Sequence, residues 1–138
     1  MKAINDAIYT KVTELTEESH NAFYNSIGGR FYYQEAPQSV EFPYSVYYSF
    51  DENFDWNFSS GKQQNVLIQI SCYSKTRGAA QIESIRTNLL ALFEYMETTL
   101  EVEGFTFIYM KQVASSGVER VEGVWNYNIR YEVEVESS

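Results

Sequence analysis

The closing stretch "VWNYNIRYEVEVESS" alternates without a break. Trp125, Tyr127, Ile129, Tyr131, Val133 and Val135 fall on one side of an extended chain, and Asn126, Asn128, Arg130, Glu132, Glu134 and Glu136 on the other, because successive strand residues point to opposite faces. A slip of one residue would bury the charged row, so this segment must be a strand of fixed register with one face in a core. The rest of the chain has to supply what covers that face.

Two more segments carry a two-residue period. "PYSVYYSF" sets Tyr44, Val46, Tyr48 and Phe50 against Ser45, Tyr47 and Ser49, which predicts a strand with the Tyr44 row as its apolar face. "QNVLIQISCYS" puts Val66, Ile68, Ile70 and Cys72 on one side, and the pair reads as a long antiparallel hairpin. Its tip is "DENFDWNFSSGKQQ", in which Phe54, Trp56 and Phe58 alternate with Asp55 and Asn57. Between His20 and Pro43 the glycine pair permits a turn and each proline disfavours helix before it, predicting an extended loop with a short edge strand at Phe31 to Tyr33. "FTFIYMKQV" is a further strand, and "ASSGVERVEG", holding Glu119 and Arg120, reads as an exposed turn before the last one.

Helical spacing appears twice. Ile4, Ala7, Ile8, Val12 and Leu15 mark a short amphipathic helix with Asn5 and Asp6 in its first turns. Ile82, Ile85, Leu89, Leu92, Phe93, Met96 and Leu100 mark a second, of about six turns, with Gly104 as its stop. The expected fold is α+β, a mainly antiparallel β-sheet with two α-helices packed on one face and a long β-hairpin with an extended tip. Residues 1–138 are expected to form a single domain, since a chain of 138 residues that is 44% hydrophobic buries roughly two thirds of its extended surface without metal or disulfide.

Chemistry is sparse. Cys72 is the one cysteine, so an internal disulfide and a thiol zinc site are excluded, and its place in an apolar row predicts a buried thiol. His20, the one histidine, stands in a polar linker with no orienting partner in a recognisable motif. The glycines of "SIGGRF" and "SSGKQQ" match no phosphate-binding pattern. Asp51, Glu52 and Asp55 are oxygen ligands of the type calcium takes, but their spacing is not that of an EF-hand loop. No catalytic residue, cofactor or metal is therefore expected.

With 19 acidic and 10 basic side chains the chain carries a net charge of −9, which disfavours binding to a phosphate backbone. No membrane partner is expected either, because the N-terminal segment has no apolar run long enough for a signal or a span; a cytoplasmic protein is expected.

The order of "AINDAIYTKV", "GGRFYYQEAPQSVEFPYSVYYSF", "VLIQISCYSKTRGAAQIESIRTNLLALF" and "GVWNYNIRYEVEV" resembles the tail-completion proteins of long-tailed bacteriophages and prophages, the tail terminators or tail-to-head joining proteins. Arg30 before a short strand, the turn at Ala36, Pro37 and Gln38, and Pro43 and Tyr44 opening the next strand carry the likeness. So does the strand ending in Tyr73, Ser74 and Lys75 before the helix with Ala80 and Ile85. The resemblance implies a non-enzymatic structural protein that assembles as a hexameric ring on the tail tube, stops tube polymerisation and faces the head connector. Its partners would then be copies of itself, the tail-tube protein and the head connector or head-closure protein, with DNA passing through without sequence-specific binding. It would act in the host bacterial cytoplasm during assembly and afterwards in the virion.

Three surfaces are candidates for those contacts. The first is the hairpin tip, with Asp51, Phe54, Asp55, Trp56 and Phe58, which either folds back on the core or projects to a neighbour. The second is the turn with Glu119 and Arg120, and the third is the polar row with Arg130 and Glu132, whose acids would repel passing phosphates. Two alternatives stand beside this reading, another neck or head-closure adaptor and a small ligand-binding or hydrolytic α+β domain with a tyrosine-lined pocket.

Overall fold

The computed structural model describes residues 2–16, 19–56, 62–93 and 100–137, with the backbone alone described at 16, 51–56 and 62. In chain order come α1 (Lys2–Thr13), β1 (Leu15–Thr16), β2 (Ser19–His20), α2 (Ala22–Ser26), β3 (Phe31–Tyr33), β4 (Tyr44–Trp56), β5 (Lys62–Ser74), α3 (Ala80–Leu92), β6 (Phe105–Val121) and β7 (Val124–Ser137). β1 and β2 form a small antiparallel ladder of their own. The main sheet has the order β3-β4-β5-β7-β6, antiparallel throughout except for the parallel pair β3 and β4. This is the expected α+β fold.

The core lies between one face of that sheet and the helices. β7 turns Tyr127, Ile129, Tyr131, Val133 and Val135 inward, opposite Cys72, Ile70, Ile68 and Val66 of β5. Helix α1 buries Ile4, Ala7, Ile8 and Val12, and α3 buries Ile82, Ile85 and Leu89 in the same cluster. Each fully buried aliphatic side chain contributes about 1.5–3 kcal/mol relative to leaving it in water.

Helix α2 falls inside the segment expected to be extended. Five residues are too few to show a period, and what starts it is Asn21, whose side chain accepts from the Tyr24 N–H at 2.8 Å and donates to the Val12 carbonyl at 2.7 Å. Its Phe23 is fully buried and meets Phe31 edge to face at 6.0 Å.

Three further details correct the sequence-based expectations. The inward row of β4 is Ser45 and Tyr47, because Tyr47 pairs with Ile70 and Ser45 with Cys72 in register; Tyr44, Val46, Tyr48 and Phe50 face the other way. Tyr47 is buried at 3% exposure and stacks on Phe31 at 4.5 Å with the rings 5° apart. Ser45, fully buried, satisfies its hydroxyl on the Ser71 carbonyl at 2.9 Å and against the Cys72 sulfur at 3.6 Å. A small hydroxyl with a hydrogen bond fits a core position as well as an apolar group does.

Helix α3 stops at Leu92, since Phe93 leaves helical geometry at φ −113°, ψ 63°. Leu100 and Val102 are buried from irregular chain, so their spacing reflects a shared core and not a shared helix. Gly104, at φ +81°, precedes a strand, and Met96 lies outside the described residues.

Finally, β6 runs straight through "ASSGVERVEG". The turn is only Glu122 and Gly123, both at positive φ (52° and 82°), the mirror-image hairpin turn whose twist suits two strands. Seventeen residues of β6 face fourteen of β7 because register shifts occur at Phe107/Tyr109, Gln112/Ala114 and Ser115/Val118. Each is a β-bulge with one extra residue, and at the third Gly117 adopts φ +76°.

Candidate interaction surface

The sheet face turned away from the helices carries Tyr44, Val46, Tyr48 and Phe50 of β4 beside Gln69, Ser71 and Tyr73 of β5 and the polar row of β7. Tyr44 stacks on Tyr73 at 4.9 Å, and burial against that neighbour raises its hydroxyl pKa. Arg130 lies over the Phe50 ring at 4.8 Å while its Nε donates to Gln69 Oε1 at 3.0 Å, so its guanidinium is stacked and oriented at once. Glu132 accepts a hydrogen bond from the Tyr109 hydroxyl of β6.

Residues 34–40 fold across part of this face and enclose an open groove of about 430 Å³, floored by Tyr44, Val46, Tyr48 and Tyr73 and walled by Pro37 and Val40. What anchors the loop is Arg30, whose guanidinium donates to the Pro43 carbonyl at 2.8 Å and the Phe42 carbonyl at 3.3 Å. The groove is lined by tyrosines, by the amides of Gln34, Gln38, Gln69 and Asn128, and by Glu35.

The expected contact residues do not gather in one place. Arg130 and Glu132 lie on the open face. Glu119 and Arg120 sit within β6 opposite Asn126 and Trp125, with the Arg120 guanidinium over the Trp125 ring at 5.4 Å. Asp51, Phe54, Asp55 and Trp56 belong to the far half of β4, where Phe54, Asp55 and Trp56 pair with Gln64, Gln63 and Lys62, at the opposite end of the sheet from Arg120. Their side chains, and Phe58 entirely, lie outside the described residues.

The two edges of the sheet differ. β3 pairs only with residues 45–47, so the outer side of β4 from residue 48 onward has no partner strand among the described residues. β6 forms the other edge and exposes Ile108 (40%), Val113 (45%) and Val121 (55%). Ile108 and Val113 are the extra residues of the first two bulges.

Elsewhere the chemistry is quiet. Cys72 is buried, and loss of solvent pushes its thiol up to about 12, far from a reactive thiolate. His20 is half-buried with its ring 4.5 Å from that of Tyr24. Among the described residues no three of His, Cys, Asp or Glu gather as metal ligands, and no helix is long and apolar enough to cross a membrane.

The outward-facing aromatic row of β4 and the Arg30 clamp escape sequence reasoning. Their signal lies in Arg30 before a strand followed by the Phe42-Pro43 step, but a carbonyl clamp has no motif of its own.

Against known proteins, a family model described as tail completion protein gp17 matches residues 18–134. A chain from the virion of a native gene transfer agent particle superposes with a TM-score of 0.76 at 14% identity, over 99% of this chain and 96% of that one. A second solved chain aligns with a TM-score of 0.66 at 12% identity, over 97% and 94% of the two chains. A search of curated protein sequences finds no match. At such identities the superpositions speak to the fold.

Proposed function

This chain belongs to the tail completion protein gp17 family, structural proteins of the phage tail, and from that premise we propose that it closes the tail tube as a hexameric ring. The ring ends tube polymerisation and offers its other face to the head connector. The family match over residues 18–134 carries the reading. The chain acts as one unit over residues 1–138, assembles in the host bacterial cytoplasm and remains in the virion. Its role is contact, without catalysis.

The surface chemistry supports this. A ring subunit needs side-to-side contacts and two axial faces, and the protein offers an aromatic sheet face only partly crossed by residues 34–40 and two unlike sheet edges. Tyrosine and arginine, which share the open face at Tyr44, Tyr48, Tyr73 and Arg130, are residues that interfaces favour. The acids of β7, Glu132, Glu134 and Glu136, suit a surface that lets DNA pass without holding it.

Light scattering with and without tail-tube protein tests the proposal. A species of six times the 16.0 kDa chain, formed alone or on tube ends, is the expected result. A Trp56→Ala variant asks whether the hairpin tip takes part. A chain that stays single and never binds tubes would overturn the ring.

A further inference from the structure

The open face of the sheet holds one guanidinium that is fixed on two sides. Arg130 lies over the Phe50 ring at 4.8 Å, and its Nε donates to Gln69 Oε1 at 3.0 Å. Gln69 is held in that sense by its own nitrogen, which donates to Ser71 Oγ at 3.2 Å, while Ser71 Oγ donates to Asn128 Oδ1 at 2.5 Å. The Asn128 amide nitrogen reaches Ser116 Oγ at 3.5 Å and has a second N–H to spare. An exposed arginine ordinarily samples many rotamers, and ordering it costs binding energy. Here that cost is met before any partner arrives.

The outer edge of the guanidinium is left open. Among the described residues neither Nη1 nor Nη2 of Arg130 has a hydrogen-bond or ion-pair partner, although the chain has 19 acidic side chains. The next acid in its row, Glu132, accepts instead from the Tyr109 hydroxyl and stands opposite Lys111 of β6. Beside Arg130, the small residues Ala114, Ser115 and Ser116 of β6 line an open hollow of about 360 Å³ together with Gln69 and Asn128. Gln69 and Asn128 also line the tyrosine groove, so the two hollows adjoin.

We infer that Arg130 receives a carboxylate side chain of a partner polypeptide. Nη1 and Nη2 form the fork that matches the two oxygens of a carboxylate, and the spare Asn128 N–H lines the same hollow. A nucleic-acid phosphate would suit the fork but not the face. Glu132, Glu134 and Glu136 follow Arg130 along β7, and a net charge of −9 repels a polyanion, whereas a protein contact brings a single carboxylate. The adjoining groove, floored by Tyr44, Val46, Tyr48 and Tyr73, gives the residues flanking that acid an aromatic surface to rest on. The site belongs to one face of the single chain and does not require the ring.

Nuclear magnetic resonance of the isotope-labelled chain tests it at constant ionic strength. The probes are a blocked tripeptide of tyrosine, alanine and glutamate, its counterpart ending in glutamine, inorganic phosphate and a short DNA duplex. The glutamate peptide is expected to shift the Arg130 Nε–H and Asn128 side-chain signals to saturation, and the glutamine peptide to leave them in place. Arg130→Lys keeps the charge but loses the fork, and is expected to bind the glutamate peptide about tenfold more weakly. Gln69→Leu keeps the fork but frees it to swing, and is expected to weaken binding several-fold.

A circular dichroism melt confirms that each variant is folded. Equal responses to the two peptides, a response that never saturates, or unchanged binding in Arg130→Lys overturns the carboxylate site. Tighter binding of phosphate or of the duplex than of the glutamate peptide overturns it in favour of nucleic acid. Each of these results leaves the ring reading standing, because that reading is tested separately by mass.

Discussion

Replacing Tyr47 or its neighbour Tyr48 with alanine separates the observed fold from the simplest reading of "PYSVYYSF". Tyr47 is 3% exposed, stacked 4.5 Å from Phe31, 5.3 Å from Tyr33, and its hydroxyl donates to the Asn5 carbonyl at 3.4 Å. Removing a buried ring of that size costs about 3–5 kcal/mol through lost transfer energy and the cavity left behind. Tyr47→Phe keeps the stack and loses one long hydrogen bond, for about 0.5–1 kcal/mol. Tyr48 is half-exposed on the open face, its ring 5.7 Å from Phe50, and Tyr48→Ala should cost about 1 kcal/mol. Urea unfolding followed by circular dichroism, at a protein concentration low enough to keep chains apart, measures all three. For a chain of this length each kcal/mol lowers Tm by about 3–5 °C, so the two alanine variants should differ by roughly 6–20 °C. A Tyr48→Ala loss equal to or larger than that of Tyr47→Ala would refute the inward assignment of Tyr47 and restore the aromatic row to the core.

Burial raises the hydroxyls of Tyr47, Tyr127 and Tyr131 above the ordinary tyrosine value. The unfolded chain therefore loses these protons first, so stability is full below about pH 10 and falls as pH rises beyond it; urea midpoints across that range should drop in step with delayed tyrosinate absorbance. Cys72, with its thiol held up at about 12 in a sealed core, should resist a thiol reagent in native buffer and react at once in denaturant; native labelling would mean that the core opens. At the β6–β7 turn, Glu122→Asn should stabilise by about 0.5–1 kcal/mol because asparagine tolerates positive φ better, whereas Gly123→Ala should cost about 1–2 kcal/mol, both read from Tm.

What is legible in the sequence follows from rows with one answer. β7 is apolar along one side and polar along the other, and β5 gathers Val66, Ile68, Ile70 and Cys72 on one side against a mostly polar row, so the side chains alone identify their inward faces. β4 has aromatics on both sides, and its face depends on pairing with β5, which no period of its own reveals. Its inward row looks polar because Ser45 hides its hydroxyl in hydrogen bonds. "ASSGVERVEG" reads as a turn because small residues and glycine serve bulges as well as turns, and only the pairing with β7 tells them apart. Among the candidate residues, Arg130 and Glu132 emerge on the open face from alternation alone, while the stacking of Arg120 on Trp125 needs two strands to be placed side by side.

The bulges of β6 also bear on how the gene can change. In a regular strand, losing one residue turns every side chain beyond it to the wrong face. Deleting Ile108 or Val113 would instead restore an uninterrupted ladder, since Phe107 and Tyr109, like Gln112 and Ala114, already face adjacent partners on β7. This strand can thus gain or lose single codons at set points while the buried side keeps its pairing. A residue-by-residue alignment across it would drift even where the three-dimensional match is close.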